Sequence, residues 1–222
     1  MNEKAAVQGY DISARSAAVI GCGGLGTNVA VHLCGAGIGK LWLCDFDTVQ
    51  TRNLNRQFFY TNTDVDRPKC ALLAARLKAF APETEIIAVE RKIETPADLS
   101  FADEADLLIL AVDNVDARRI AAAYCEAKKK PYINGGVDRD FGTAYLCVPG
   151  KTPDLEAAGG LVEPRQKPQS RSPVVGVIGA LEAKLATDYF LQNTASQGVL
   201  LCFDGMEIQA LPIINHKGDE DS

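Results

Sequence analysis

Residues able to bind phosphate, sugar hydroxyls and a metal ion gather in one stretch of the chain and return once later. Asp45, Asp47, Asn53, Arg56, Gln57 and Lys69 follow the glycine run Gly21-Cys22-Gly23-Gly24-Leu25-Gly26, and Asp113-Asn114 stands some forty residues on. Gly21, Gly23 and Gly26 keep the Gly-x-Gly-x-x-Gly spacing, with Gly24 inside it, and an apolar run, Ala17 to Ile20, leads in. Such a turn offers backbone N–H groups to phosphate at a helix N-terminus, and an acid about twenty residues on, here Asp45, takes a ribose hydroxyl. Arg56 sits in a polar turn after the acidic strand and suits phosphate through its planar fork of donors. Lys69 opens the next helix after Pro68 and brings an ammonium toward the same phosphates. A carboxylate at Asp113 can hold Mg²⁺ through one direct ligand, with waters and triphosphate oxygens completing the shell. An arginine is not needed merely to hold a dinucleotide, so Arg56 suggests a phosphate chain that is cleaved.

Alternating elements must position these groups. The pattern predicts strands at 17–21, 41–46, 85–90, 107–112, 131–134 and 143–148, and helices at 24–34, 68–80, 115–130 and 174–190. The segment 107–112 is apolar throughout, as in a strand covered on both faces of a parallel sheet. Strand–helix alternation at this spacing implies a doubly wound, mostly parallel, Rossmann-like α/β sheet. Two later strands, 199–203 and 206–212, flank Asp204-Gly205, a hairpin signal, and are expected to add an antiparallel extension at one end. Asp113 then projects at the carboxyl edge, where ligands of open α/β sheets sit.

Composition bounds the rest. At 222 residues and 47% apolar content, the chain is expected to form one domain over 1–222. Seven cysteines lie scattered in apolar runs without a Cys-x-x-Cys pair, and no N-terminal signal pattern is seen, which reads as reduced thiols and a cytoplasmic location. No apolar run approaches a membrane span, and a net charge of −6 gives no general attraction to nucleic acid. Residues 149–173 carry five prolines together with Arg165, Lys167 and Arg171, and read as a long mobile loop; the acidic tail 214–222 reads as disordered.

These pieces together resemble the activating-enzyme superfamily of ThiF, MoeB and HesA, which also includes the ubiquitin-activating enzymes. The resemblance rests on the glycine turn, Asp45-Phe46-Asp47-Thr48-Val49, Asn53-Leu54-Asn55-Arg56-Gln57, Pro68-Lys69, Asp113-Asn114-x-Asp116-x-Arg118 and the late Pro173-Val174-Val175-Gly176-Val177-Ile178-Gly179. It implies ATP and Mg²⁺ as cofactors and transfer of AMP to a C-terminal carboxylate with release of pyrophosphate. The implied acceptor is a small ubiquitin-like or sulfur-carrier protein, or a peptide, and the implied assembly a homodimer or heterodimer. On this chain the resemblance assigns the ribose to Asp45, phosphate contact to Asn53, Arg56 and Lys69, a lining place to Gln57 and the metal to Asp113.

Departures narrow this picture. Many members bind zinc through two Cys-x-x-Cys pairs; only Cys147 and Cys202 stand near those places, so no zinc is expected. No thiol lies between Cys147 and Cys202, so a thioester step in that loop is not expected, and the chemistry is expected to end at the adenylate. Members often supply an arginine from an N-terminal helix, whereas Arg15 is the only arginine before Ala17. Another polypeptide, or Arg165, Lys167 or Arg171, must then supply that charge. Arg67 replaces the usual glycine before Pro-Lys and stands within reach of an anionic ligand.

Plainer roles stay open for several residues. Asp113 can cap a helix, Asn53 can stabilise a turn, Lys69 can be a solvated first-turn cation, and Cys22 can be a packing residue. Two other functions also stay open. A non-catalytic partner subunit would fit the absent thiol and short N-terminus. A nicotinamide-dependent oxidoreductase would fit the glycine turn but leave Arg56, Lys69 and Asp113 unexplained.

Overall fold

A computed structural model describes residues 11–158, 160–161, 170–192, 198–204 and 207–212. The chain runs β1 (Ser16–Ile20), α1 (Gly24–Gly35), β2 (Lys40–Cys44), α2 (Lys69–Phe80), β3 (Glu85–Val89), β4 (Leu107–Leu110), α3 (Val115–Lys128), β5 (Tyr132–Asp138), β6 (Phe141–Cys147), α4 (Ser172–Phe190), β7 (Gly198–Asp204) and β8 (Glu207–Pro212). The strands form one sheet in the order β3-β2-β1-β4-β5-β6-β7-β8. Strands β3 to β5 pair parallel, and β5 to β8 pair antiparallel. The doubly wound α/β reading holds, with an antiparallel part larger than expected.

Alternation along each strand divides the core. Ala17, Val19, Leu41, Leu43, Leu107, Ile109 and Ile133 face α1, α2 and α4; Ala18, Ile20, Trp42, Cys44, Leu108, Leu110 and Tyr132 face α3. Residues Leu107 to Leu110 are all fully buried, because β4 is central and covered on both faces.

Three details differ from the expected elements. The short strand at 131–134 continues through Gly135 and Gly136 to Asp138 and turns into β6 across Arg139-Asp140, with Asp138 opposite Phe141. Arg139 takes φ 53°, the left-handed conformation that Asn-Gly or Asp-Gly usually signals, so the turn carries no sequence signature. Helix α4 starts at Ser172, with Pro173 in its first turn, where a missing N–H costs no hydrogen bond. Helix α3 stops at Lys128 because Lys129 turns left-handed, φ 54°, and the N–H of Lys130 closes on the Cys125 carbonyl. Residues 162–169, with Arg165 and Lys167, and the tail 214–222 lie outside the described residues, as does Gly205 of the expected late hairpin.

The site depends on one link between α2 and the segment before it. Asp64 is buried; its carboxylate accepts the Thr61 N–H at 2.7 Å, the Thr61 hydroxyl at 2.8 Å and the Arg76 guanidinium at 2.6 Å. Arg76 also donates to the Phe59 carbonyl. The guanidinium first, then the Thr61 bonds, hold the Asp64 carboxyl below its usual range, at about 2. A lowered folded-state pKa contributes stability above the unfolded value, and this is lost as pH falls toward the folded one. Asp64→Asn is therefore expected to destabilise the protein by about 1 kcal/mol at neutral pH. Urea titrations of both proteins should converge as pH falls from 4 toward 2. A gap that persists unchanged at pH 2 would refute this account.

Candidate active site

The strand order places the site. From β1 the chain moves to β2 and β3 on one side and then returns to β4 on the other, so a crevice opens where β1 and β4 end. Gly21 leaves β1 there at φ 99°, and a Cβ on it would meet the Ala111 carbonyl oxygen at 2.5 Å. A Cβ on Gly26 would stand 1.8 Å from the Gly21 carbonyl oxygen, so a glycine there lets α1 pack against the turn. The N-cap of α1 is Gly23, without a side-chain cap, and the first turn holds no acid. These first-turn N–H groups are left for an external anion.

Asp45, at the carboxyl end of β2, is buried. Its Oδ2 accepts the Cys22 N–H at 2.7 Å and its Oδ1 the Asp47 N–H at 2.8 Å. Burial pushes this carboxyl up; the Lys69 ammonium and the two N–H bonds oppose that. Besides standing where a ribose would bind, the carboxylate therefore ties the glycine turn to the end of β2.

Lys69 departs from the expected mobile ammonium. It is only 5% exposed, and its Nζ pairs with Asp47 Oδ2 at 3.0 Å. The Asp47 carbonyl also accepts the Lys69 N–H at 3.0 Å, and Thr48 bridges to Pro68. The positive charge sits at the start of α2, the end that the helix dipole disfavours, with Asp47 beside it as its counter-charge. Arg67 is occupied by Asp64, at 3.5 Å.

The turn from 50 to 60 carries the remaining contacts. The Asn53 carbonyl accepts the N–H groups of Arg56 and Gln57, and the Asn53 side chain makes no hydrogen bond to the described residues. Arg56 is held loosely, its Nη1 3.0 Å from Asn55 Oδ1, and its backbone lies close to Gly24. Gln57 is buried with Oε1 lacking a hydrogen-bond partner, and its Nε2 is 3.4 Å from where a Gly23 Cβ would be. A buried carbonyl oxygen without a donor beside a bare glycine turn fits a site completed by a ligand.

Tyr60 was missed by sequence reasoning. Its buried hydroxyl donates to the Cys22 carbonyl at 2.8 Å and also lies 3.3 Å from the Lys69 carbonyl, pinning the glycine turn to α2. No motif marks it; only its place after Arg56-Gln57 hints at the role. Cys22 is fully buried, in line with a packing role.

Across the crevice, Asn114 rather than Asp113 caps α3, accepting the Ala117 N–H at 2.7 Å. Asp113 is exposed and forms no hydrogen bond or ion pair with the described residues, so the plain capping role falls to its neighbour. Among the described residues no three His, Cys, Asp or Glu side chains gather to hold a metal. A single carboxylate without a partner among the described residues suits Mg²⁺, which keeps its waters and takes phosphate oxygens, better than a metal held by protein alone. Arg15, at the amino edge of β1, is at the wrong end of the sheet, and Arg171 pairs with Asp140 at 3.0 Å. Neither supplies the additional arginine. Among the described residues, no helix is long and apolar enough to cross a membrane.

Comparisons with known proteins identify relatives of this chain. The sulfur carrier protein ThiS adenylyltransferase of Escherichia coli (strain K12) is 33% identical over 200 residues, 86% of this chain and 78% of that protein. The molybdopterin-synthase adenylyltransferase of Salmonella typhimurium is 28% identical, over 94% of this chain and 88% of that protein. Among solved structures, E. coli MccB with ATP superposes with a TM-score of 0.81 at 27% identity, over 91% of this chain and 64% of MccB. This chain thus spans about two thirds of MccB. The model of the ThiF family matches residues 5–221, and the chain belongs to that family.

Proposed function

We propose that the protein transfers AMP from ATP to the C-terminal carboxylate of a small sulfur-carrier or ubiquitin-like protein, or of a peptide, and releases pyrophosphate. The observation that carries this reading is the opposed pair at the crevice. The uncapped N-terminus of α1 and Arg56 lie on one side, and Asp113, which pairs with none of the described residues, on the other. Dinucleotide binding needs the first but leaves Arg56 and Asp113 idle. The named relatives are adenylyltransferases for a sulfur carrier and for molybdopterin synthase, and one MccB structure is of MccB with MccA-N7isoASN.

An acceptor carboxylate oxygen attacks the α-phosphorus, an anhydride P–O bond to the β-phosphate breaks, and pyrophosphate leaves with the electron pair. Little covalent work falls to the protein; it brings two anions together and stabilises charge on the transferring and leaving oxygens. Asp45 and Asp47 shape the ribose side, with Gly21, Gly23, Gly24 and Gly26 forming the turn. Asn53, Arg56, Gln57 and Lys69 face the phosphates, and Asn114 fixes the start of α3 beside Asp113. Asp113 would hold Mg²⁺, which would supply charge neutralisation to the phosphates. Cys22, Cys34, Cys44, Cys70, Cys125 and Cys147 are buried free thiols, which supports a reaction that ends at the adenylate and a reducing, cytoplasmic setting. A dimeric assembly, with itself or a sister subunit, is part of the proposal. Phe58, 69% exposed beside Arg56, supports a partner covering that turn.

ATP–pyrophosphate exchange with a Gly-Gly-ending sulfur carrier, and separately with a short peptide, tests the reading. Exchange is expected with one of them, and Arg56→Ala and Asp113→Ala should each lower it by at least about 100-fold while the fold survives. Near wild-type exchange in both variants would overturn the assignment. ATP binding without exchange would favour the non-catalytic subunit. Asp45→Asn should cost about 1–3 kcal/mol in denaturant melts, because an amide presents a donor to one of two N–H groups. Its ATP affinity should also fall; an unchanged affinity would exclude Asp45 from the ribose site.

A further inference from the structure

Arg118 closes the Asp113-Asn114-x-Asp116-x-Arg118 motif, yet the catalytic account leaves it unused. Its guanidinium leaves α3, is largely buried, and crosses the carboxyl edge of the sheet. Nη2 donates to the Val112 carbonyl at 2.7 Å and to the Gly135 carbonyl at 3.2 Å, while Nη1 reaches the Gly160 carbonyl at 3.5 Å. One side chain therefore ties the end of β4, the middle of β5 and the segment after Leu155. Val112 immediately precedes Asp113, so the first of these bonds fixes the backbone from which the metal carboxylate projects.

A second observation lies on the other face of the sheet. Glu182 of α4 is fully buried, and neither carboxyl oxygen has a hydrogen-bond partner. A Cβ on Gly135 would stand 2.3 Å from that carboxyl, so only glycine leaves room for it at the strand. Gly135 is also the residue whose carbonyl Arg118 holds. Burial pushes the Glu182 acid up and the Arg118 cation down, and each charge relieves the other; Asp113 adds to the relief at Arg118. A buried acid without hydrogen bonds is expensive unless a charge nearby answers it.

We propose that Arg118 is a positioning residue that holds Asp113 in place for the metal, with Glu182 steadying the guanidinium from the opposite face of the sheet. The inference rests on the proposed ATP site and deepens it. Loss of the fork frees the Val112 carbonyl and lets the Asp113 carboxylate wander, whereas the glycine turn, Arg56 and Lys69 are untouched. The damage is therefore confined to the contribution of the metal.

The test measures ATP affinity by calorimetry in EDTA and in excess Mg²⁺, together with thermal melting. In the wild type Mg²⁺ tightens ATP binding, and Asp113→Ala abolishes that gain. Arg118→Lys keeps the charge but loses the fork; it should cut the metal gain by about tenfold and leave affinity in EDTA unchanged. Glu182→Gln preserves shape, should melt near the wild-type temperature, and should reduce the gain in the same direction by a smaller factor. The inference is overturned if Arg118→Lys retains the full gain, or loses affinity equally with and without metal, which would signal a general packing role. It is also overturned if Glu182→Gln matches the wild type in its metal gain. A wild-type protein that does not bind ATP at all would instead defeat the proposed function, which keeps the two failures distinct.

Discussion

One buried anion organises this site. Asp45 is removed from water at the end of β2, and that is costly unless donors and positive charge replace the lost hydration. Here the replacements are the N–H groups of Cys22 and Asp47 and the nearby Lys69 ammonium. Each also belongs to a part that must stay in register. Cys22 lies inside the glycine turn, Asp47 begins the excursion toward Arg56, and Lys69 opens α2. Satisfying the carboxylate thus fixes three chain segments relative to one another before any ligand arrives.

Tyr60 and Asp64 extend the same logic outward. Tyr60 ties the Cys22 carbonyl to the start of α2, and Asp64 fastens the following segment to Arg76 further along that helix. The turn carrying Asn53, Arg56 and Gln57 is therefore anchored at both ends, with Arg56 bonded only within the turn and the Gln57 amide oxygen left without a donor. Anchored ends suit phosphate recognition, because preorganised donors need little rearrangement as charge moves to the leaving group.

The opposite wall follows a different rule. Asp113 is exposed and makes no hydrogen bond or ion pair with the described residues, so its position depends on the backbone that carries it. Asn114 fixes the residue after it through the cap of α3, and Arg118 fixes the residue before it through the Val112 carbonyl. The two walls meet at the ends of β1 and β4, where the chain reverses the direction of its winding.

Much of this was legible in the chain itself. The glycine spacing, the acid at the end of β2 and the apolar run of β4 encode local periodicity and turn geometry, so they specify a doubly wound sheet and its nucleotide crevice without reference to distant residues. The family resemblance rests on the same local strings. Tertiary structure alone decided which polar groups pay for one another's burial. That Lys69 is paired with Asp47, that Asn114 and not Asp113 caps α3, and that Glu182 of α4 and Arg118 of α3 both approach Gly135 are contacts between segments far apart in sequence or choices between adjacent residues. The same holds for the β5–β6 hairpin, whose turn at Arg139 has no signature residue. Charge compensation in a low-dielectric interior depends on distance in space, and spacing along the chain carries no record of it.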